Sequence, residues 1–479
     1  MRAPLFFYAI ILFCISGCNN KPDCRILLDQ IHTNLDSGNI DIVKHLADSI
    51  RKECPSEKDL VSKADSFSLI AERILLDFSL TEDQTDQQLK EITGSFSQKE
   101  KREWEGRNWL EWRMINGQRK YFKRAVSNLR LIRNFHSGKA YYDSVSSLEP
   151  DIITQRLNTE SILKESDIHS VPVVPVKMKI EYSLTVHADA VPEGEIIRCW
   201  LPYPKGNHNR QTDIRLISAS GSDYLIANDS AIHKTIYQEA KAKRGSPTIF
   251  SVSYSYKSSG QYFDPERMSI HPYDLSSEVY RKYTSEQPPQ ICFTKNVRDL
   301  AVTIAGSETR PFELIRRFYF WFTNNISWAR AQEYSIMPSI PDYVIRNRRG
   351  DCGMQTMLFM SMLRYKGIPV RWQSGWKMTP GGKDLHDWCE IYLEGPGWIP
   401  VDVYYGLQYS TELKTKEFFI SGIDSYRLIV NDGISGPLYP EKKFLRSEPF
   451  DFQRGEVEWK GGNIYFDKWD YEMKITYLK

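Results

Sequence analysis

The chain is poor in charge imbalance, in paired cysteines and in long apolar runs. Its 63 Lys and Arg nearly cancel 61 Asp and Glu, leaving a formal charge of +2, so nothing electrostatic points to a nucleic-acid partner. Eight cysteines are present and none forms a C-x-x-C pair, which excludes a zinc ribbon and a dense disulfide scaffold. No acidic run is spaced like a calcium loop, and the nine histidines are scattered; no cofactor or metal site is read from this sequence. The helical hairpin near the start has no second copy, so no repeat array is expected. Disorder is excluded as well: 41% of the 479 residues are hydrophobic, enough for large cores in two to four domains.

What is present begins with Arg2, an apolar run Leu5–Ile15 and small residues. The run is too short to span a bilayer and reads as a signal peptide, residues 1–17. Its end, Ile15-Ser16-Gly17-Cys18, resembles the lipobox of bacterial lipoproteins. That resemblance implies lipidation at Cys18 and a mature chain held at a membrane surface by acyl chains. Asn19 follows where an aspartate would resemble an inner-membrane retention signal, so the outer membrane is the expected location, with the chain periplasmic or surface-exposed.

Residues 18–168 read as helical. Ile26, Leu27, Ile31 and Leu35 recur at helical spacing, Ser37–Asn39 breaks the pattern, and Ile42, Val43, Leu46 and Ile50 resume it. Cys24 and Cys54 flank this hairpin and could be bridged in an export compartment. Tyr121, Ala125, Leu129 and Ile132 mark a further helix, with Trp104, Trp109 and Trp112 as helix-packing core. These helices could also serve a protein partner. The pattern then changes period. Met178, Ile180, Tyr182, Leu184 and Val186 alternate with polar residues, and residues 172–262 read as a small antiparallel β-sandwich. Helices return at 280–410, followed by short strands, and residues 411–479 form a C-terminal β extension.

Within 280–410 lies "RRGDCGMQTMLFMSMLRYKGIPVRWQSGW". Cys352 there is a core residue, a disulfide half, a metal ligand or a nucleophile. Asp351 can cap a helix that starts at Cys352 and stops at Gly367. A thiol in that first turn meets unpaired amides and the positive end of the macrodipole, which favour thiolate and could hold an oxyanion. His386 is the nearest histidine in sequence and shares a strand face with Trp388 and Glu390. A turn at Glu394–Gly397 leads to a strand carrying Trp398, Pro400 and Asp402, so His386 and Asp402 can be cross-strand neighbours. A Cys352–Cys389–His386 zinc site is opposed by spacing and strand parity.

These segments resemble the transglutaminase-like superfamily: a glycine-x-cysteine helix start, "RYKGIPVR", the strand "HDWCEIY" and the strand "GWIPVD", in that order over residues 280–410. The resemblance implies an α+β chain with a papain-like core, a helix-borne cysteine packed on an antiparallel sheet, preceded by an all-α region and a small β-sandwich. It implies Cys352 as nucleophile, His386 as general base and acid, and Asp402 as orienter. Trp328, in "NNISW", would line the groove or assist the oxyanion site, or simply pack. Asp387 stands where the family commonly has a small residue, and Val403-Tyr404 where it has proline-threonine. Such a protein would be a cell-envelope acyl-transfer enzyme acting on a peptide, protein or glycopeptide, with hydrolysis favoured over transamidation. The alternative is a catalytically silent relative that binds a glycan or protein.

Overall fold

The computed structural model describes residues 23–137, 150–167, 169–408 and 410–479. The signal segment and Cys18 lie outside the described residues. The chain divides into two compact units, one of residues up to Leu76 with Arg113–Lys120, the other of Asp77–Trp112 with Tyr121–Lys479.

The first unit is built on the helices Cys24–Asp36 and Ile40–Glu53 and most of a third, Lys58–Asp77. Ile31, Ile40, Val43, Ala47 and Ile50 are buried, whereas Ile26 and Ile42 are 55% and 47% exposed. The cause is angular. Ile26 lies five residues from Ile31, well off the same helix face, and Ile42 is one residue off the face led by Val43. Between the helices Gly38 turns with φ +75°, and a Cβ there would strike the Met114 carbonyl oxygen at 1.9 Å, so only glycine fits. Met114 belongs to a short extended turn that helical periodicity did not announce; Asn116 N–H donates to the Gly38 carbonyl at 2.8 Å. Cys24 and Cys54 form a disulfide across the hairpin.

In the second unit, Trp104 is buried on the helix Gln98–Gly106, and Trp109 stacks on His136 with ring centroids 4.8 Å apart. Trp112 and Tyr121 sit in strands rather than helices; Tyr121 and Leu80 exchange backbone hydrogen bonds, and that pairing overrides the helical spacing read for Tyr121.

Two five-stranded sheets follow. The strand Val173–Val186 turns Met178, Ile180, Tyr182, Leu184 and Val186 inward, each no more than 1% exposed. Its neighbours are Thr248–Tyr262 and, from the far end of the chain, Trp469–Leu478, which pairs from Trp469 opposite Val186 to Leu478 opposite Lys177. Glu456–Trp459 likewise joins Ile196–Pro202 in the other sheet. Both sheets are thus completed by strands that follow the whole of the core in sequence, a closure that sequence order alone does not reveal.

The catalytic-type core is a four-stranded antiparallel sheet in the order Gly397–Val401, Gly382–Leu393, Val370–Thr379, Arg427–Asn431. Against it lies the helix Cys352–Tyr365, whose residues from Cys352 to Arg364 are all buried. A helix buried on every side needs cover on every side. The helices Lys295–Ala305, Pro311–Asn325 and Ile340–Asn347 supply it.

The disulfide closes a 30-residue separation and constrains the unfolded first unit. Its loss is expected to lower that unit's stability by about 3 kcal/mol. Thermal unfolding of Cys54→Ser against wild type, followed by helical circular dichroism, checks this.

Candidate active site

The position of Cys352 is set by a short parallel pairing, Ser327–Trp328 against Arg349–Gly350. It carries the chain into the helix and lays Trp328 beside its entry. The pairing is anchored from behind. Arg349 is buried, donates to the Asn108 carbonyl at 2.6 Å and pairs with Glu111 at 3.1 Å, and Glu111 also accepts from Tyr343 and Gln332. Asp351 caps the helix, accepting from Met354 N–H at 3.0 Å and from the Tyr334 hydroxyl at 2.6 Å. Gly353 is required by crowding: a Cβ would meet the Tyr334 hydroxyl at 2.2 Å and Asp387 Oδ2 at 2.6 Å.

His386 Nε2 and Asp402 Oδ2 are 2.7 Å apart, both fully buried. Cys389 pairs with Val401, so Asp402 leaves its strand beyond Val401 and reaches His386 diagonally rather than from directly opposite. Gly375 stands opposite His386, where a Cβ would strike the Leu428 carbonyl at 2.0 Å. The strand Arg427–Asn431 therefore packs tightly behind the imidazole. Tyr404 and Tyr405, just beyond Asp402, close on the His386 ring at 5.0 and 5.5 Å between centroids.

Asp402 has a second cationic partner. Arg427 Nη1 donates to Asp402 Oδ2 at 2.8 Å while Arg427 Nη2 holds Asp424 at 2.6 Å. Burial raises the Asp402 pKa, but the charges of His386 and Arg427 outweigh it, and the carboxyl stays below its ordinary value. Burial lowers the His386 pKa, and Asp402 only partly restores it. The pair therefore rests as a neutral imidazole beside a carboxylate, the state of a general base. Arg427 carried one sequence signal, a lone cation at the head of the continuously buried run "RLIVN".

Cys352 lies in a cavity of about 380 Å³ together with His386, Trp328 and Tyr334. Its Sγ donates to Asp387 Oδ2 at 3.3 Å, and among the described residues no hydrogen bond joins it to His386. Burial, then the charges of Asp387 and Asp351, push the thiol well above its ordinary pKa. This corrects the expectation of a thiolate favoured by helix position: desolvation and two carboxyls outweigh the helix terminus. Burial, then the charges of Asp451 and Asp351, in turn raise Asp387. Gln453 holds Asp387 from the C-terminal stretch, donating to Asp387 Oδ1 at 2.7 Å and to the His386 carbonyl at 3.0 Å. Asp451 and Gln453 had no motif to mark them.

The remaining motif residues are structural. Glu390 is buried between Arg210 at 2.9 Å and Arg371 at 2.6 Å, joining the sandwich to the core sheet. Arg371 also lies over the Trp398 ring at 4.2 Å. Trp388 donates to Gln373 Oε1 at 2.6 Å, and Cys389 is wholly buried. Trp328 walls both the Cys352 cavity and an adjoining one of about 500 Å³ lined by Phe322, Ile326, Tyr404 and Tyr405.

Removing the Asp387 carboxyl removes a charge and a hydrogen bond that favour thiol over thiolate. In Asp387→Asn the Cys352 pKa is expected to fall. Iodoacetamide labelling of Cys352 across a pH series, read by mass mapping, checks this: the midpoint moves to lower pH.

Residues 298–403 match the family model of the transglutaminase-like superfamily. The chain is 22% identical over 148 residues to the uncharacterized protein YebA of Bacillus subtilis (strain 168), covering 27% of this chain. It spans about a fifth of that relative's length (20%). Among solved structures, a candidate cysteine protease from Cytophaga hutchinsonii is similar with a TM-score of 0.42 and 15% identity, covering 64% of this chain and 92% of that one. The periplasmic domain of TgpA from Pseudomonas aeruginosa is similar with a TM-score of 0.26 and 15% identity, covering 50% and 91%. Mixed helices and antiparallel sheets surround the matched segment, and residues 298–403 form a transglutaminase-like domain.

Proposed function

We propose that the protein is a cysteine acyl-transfer enzyme with Cys352 as nucleophile, His386 as general base and acid, and Asp402 as the residue that orients His386. The observation that carries this reading is the buried His386–Asp402 bond of 2.7 Å, with His386 lining the cavity that also holds Cys352. Cys352 would give its proton to His386 and attack a peptide or amide carbonyl. His386 would return that proton to the leaving amine, and then activate water to release the acid. The Cys352 backbone amide at the helix start and the Trp328 indole are suited to the developing oxyanion. Hydrolysis is favoured over transamidation because water is plentiful in an export compartment and no residue marks a second amine site. Peptides, proteins and glycopeptides are the substrate class. The lipobox-like Ile15–Cys18 supports a lipid anchor at Cys18 in the cell envelope, on the outer membrane.

One observation favours a second reading, a catalytically silent relative that binds a glycan or protein: Cys352 rests as a thiol bonded to Asp387, not to His386. The two readings differ in what Cys352→Ala does. A screen of peptides, glycopeptides and cell-wall fragments is expected to yield an amide cleaved by wild type. Cys352→Ala and His386→Ala would each slow that cleavage at least about a thousandfold, Cys352→Ala while leaving the fold intact. Ligand binding indifferent to Cys352→Ala, with no cleavage by wild type, would favour the silent relative.

A further inference from the structure

Beside the nucleophile lies an arginine pair that the acyl-transfer reading leaves unused. The parallel pairing that ends at Trp328 and Gly350 continues as Ala329 N–H donating to the Gly350 carbonyl at 3.3 Å. Arg330 on one side and Cys352 on the other therefore follow in two adjacent, parallel segments. Both line the same cavity. Arg330 is held there by its backbone: Asn128 accepts from its N–H and donates to its carbonyl, each at 2.9 Å. Its guanidinium lies over the Trp328 ring at 5.6 Å. Asn128 belongs to the helix Ala125–His136, and Arg124, immediately before that helix, lines the same cavity.

The charges of this pair are poorly compensated. Arg124 sits at the positive end of a helix macrodipole and makes no side-chain cap, a placement that is unfavourable for a cation. Burial, then repulsion from Arg124 and Arg130, depresses the Arg330 guanidinium, with Asp384 acting the other way. Two of the other cations lining the cavity are paired. Lys123 pairs with Asp77 at 2.8 Å, and Arg454 takes both Glu333 at 2.9 Å and Glu448. Lys377 has Asp384 as its cross-strand neighbour. Arg124 and Arg330 hold no ion pair among the described residues. Two guanidinium groups lining one cavity raise the local potential and attract an anion.

We propose that Arg330 and Arg124 form an anion subsite of the Cys352 cavity, and that the substrate amide carries a carboxylate close to the scissile bond. This rests on the acyl-transfer reading and narrows its substrate class to acidic peptides or glycopeptides. Arg330 grips the carboxylate through its planar fork, and Arg124 adds long-range attraction. Asp351, Asp387 and Asp451 line the same cavity as Cys352 and disfavour a carboxylate beside them. The scissile carbonyl is thereby placed over Cys352 rather than the carboxylate itself.

Two measurements on the full chain test the proposal. In the first, wild type, Arg330→Gln and Arg124→Gln are treated with iodoacetate and with iodoacetamide, and labelling of Cys352 is followed by mass mapping. The iodoacetate-to-iodoacetamide rate ratio is expected to fall about fivefold in Arg330→Gln and less in Arg124→Gln. Iodoacetamide labelling should change less than about twofold, and added salt should erase the difference. In the second, glutarate and inorganic phosphate are titrated calorimetrically into wild type and Arg330→Gln. Glutarate binding that weakens in the variant supports the subsite. An unchanged labelling ratio together with glutarate affinity indifferent to Arg330 overturns it, and phosphate binding tighter than glutarate overturns the carboxylate assignment. If neither reagent labels Cys352, the nucleophile reading fails, and the calorimetric comparison still decides the subsite.

Discussion

The buried relay His386–Asp402–Arg427–Asp424 is the interaction on which the rest of the core depends. Four charged or chargeable groups are withdrawn from water side by side, an arrangement that repays its desolvation only when every partner is in place. Arg427 has to be at the head of its strand to reach both carboxyls, so the edge strand Arg427–Asn431 is part of the site and not only of the sheet. Gly375 leaves room for that strand to come close behind His386. Asp424 in turn accepts from Gln155 at 3.3 Å, tying the helix Pro150–Glu165 to the same relay. Breaking one partner of such a chain costs about 3–5 kcal/mol, which makes the relay both a stability element and the device that keeps His386 oriented.

A second set of constraints acts on the sulfur. Helix position, glycine spacing and Asp351 capping all present Cys352 at the start of a buried helix, yet the neighbouring carboxyls oppose its ionisation. Gln453 braces Asp387, and Asp451 adds its charge to it, so the C-terminal stretch reaches the surroundings of Cys352 and also completes the sandwich sheets. The chain thereby couples its C-terminal segment to the environment of Cys352. On the proposed reading, the resting thiol becomes a nucleophile only when His386 accepts its proton.

The separation between what the sequence displays and what it conceals follows sequence distance. The helix start at Asp351–Cys352, the alternation in Met178–Val186 and the hairpin that carries His386 and Asp402 are each written in a short stretch of chain, where periodicity and capping rules act. Arg427, Asp451 and Gln453 reach the site from loops and strands with no local motif, and Glu111 supports Arg349 from 238 residues away. The strand Trp469–Leu478 showed its alternation but not its partner, because pairing with a strand so distant in sequence as Val173–Val186 leaves no local trace. Tyr121 and Trp112 carried a helical spacing that a strand pairing overrode.

The central claim is that Cys352 forms a covalent acyl intermediate through His386. Wild type and His386→Ala are mixed with an activated ester, quenched in acid and weighed intact, with the adduct located by peptide mapping. The account predicts a transient adduct on Cys352 in wild type and slower acylation and release in His386→Ala. An adduct located on Cys292, or no adduct on Cys352 under conditions where the ester is consumed, would contradict it.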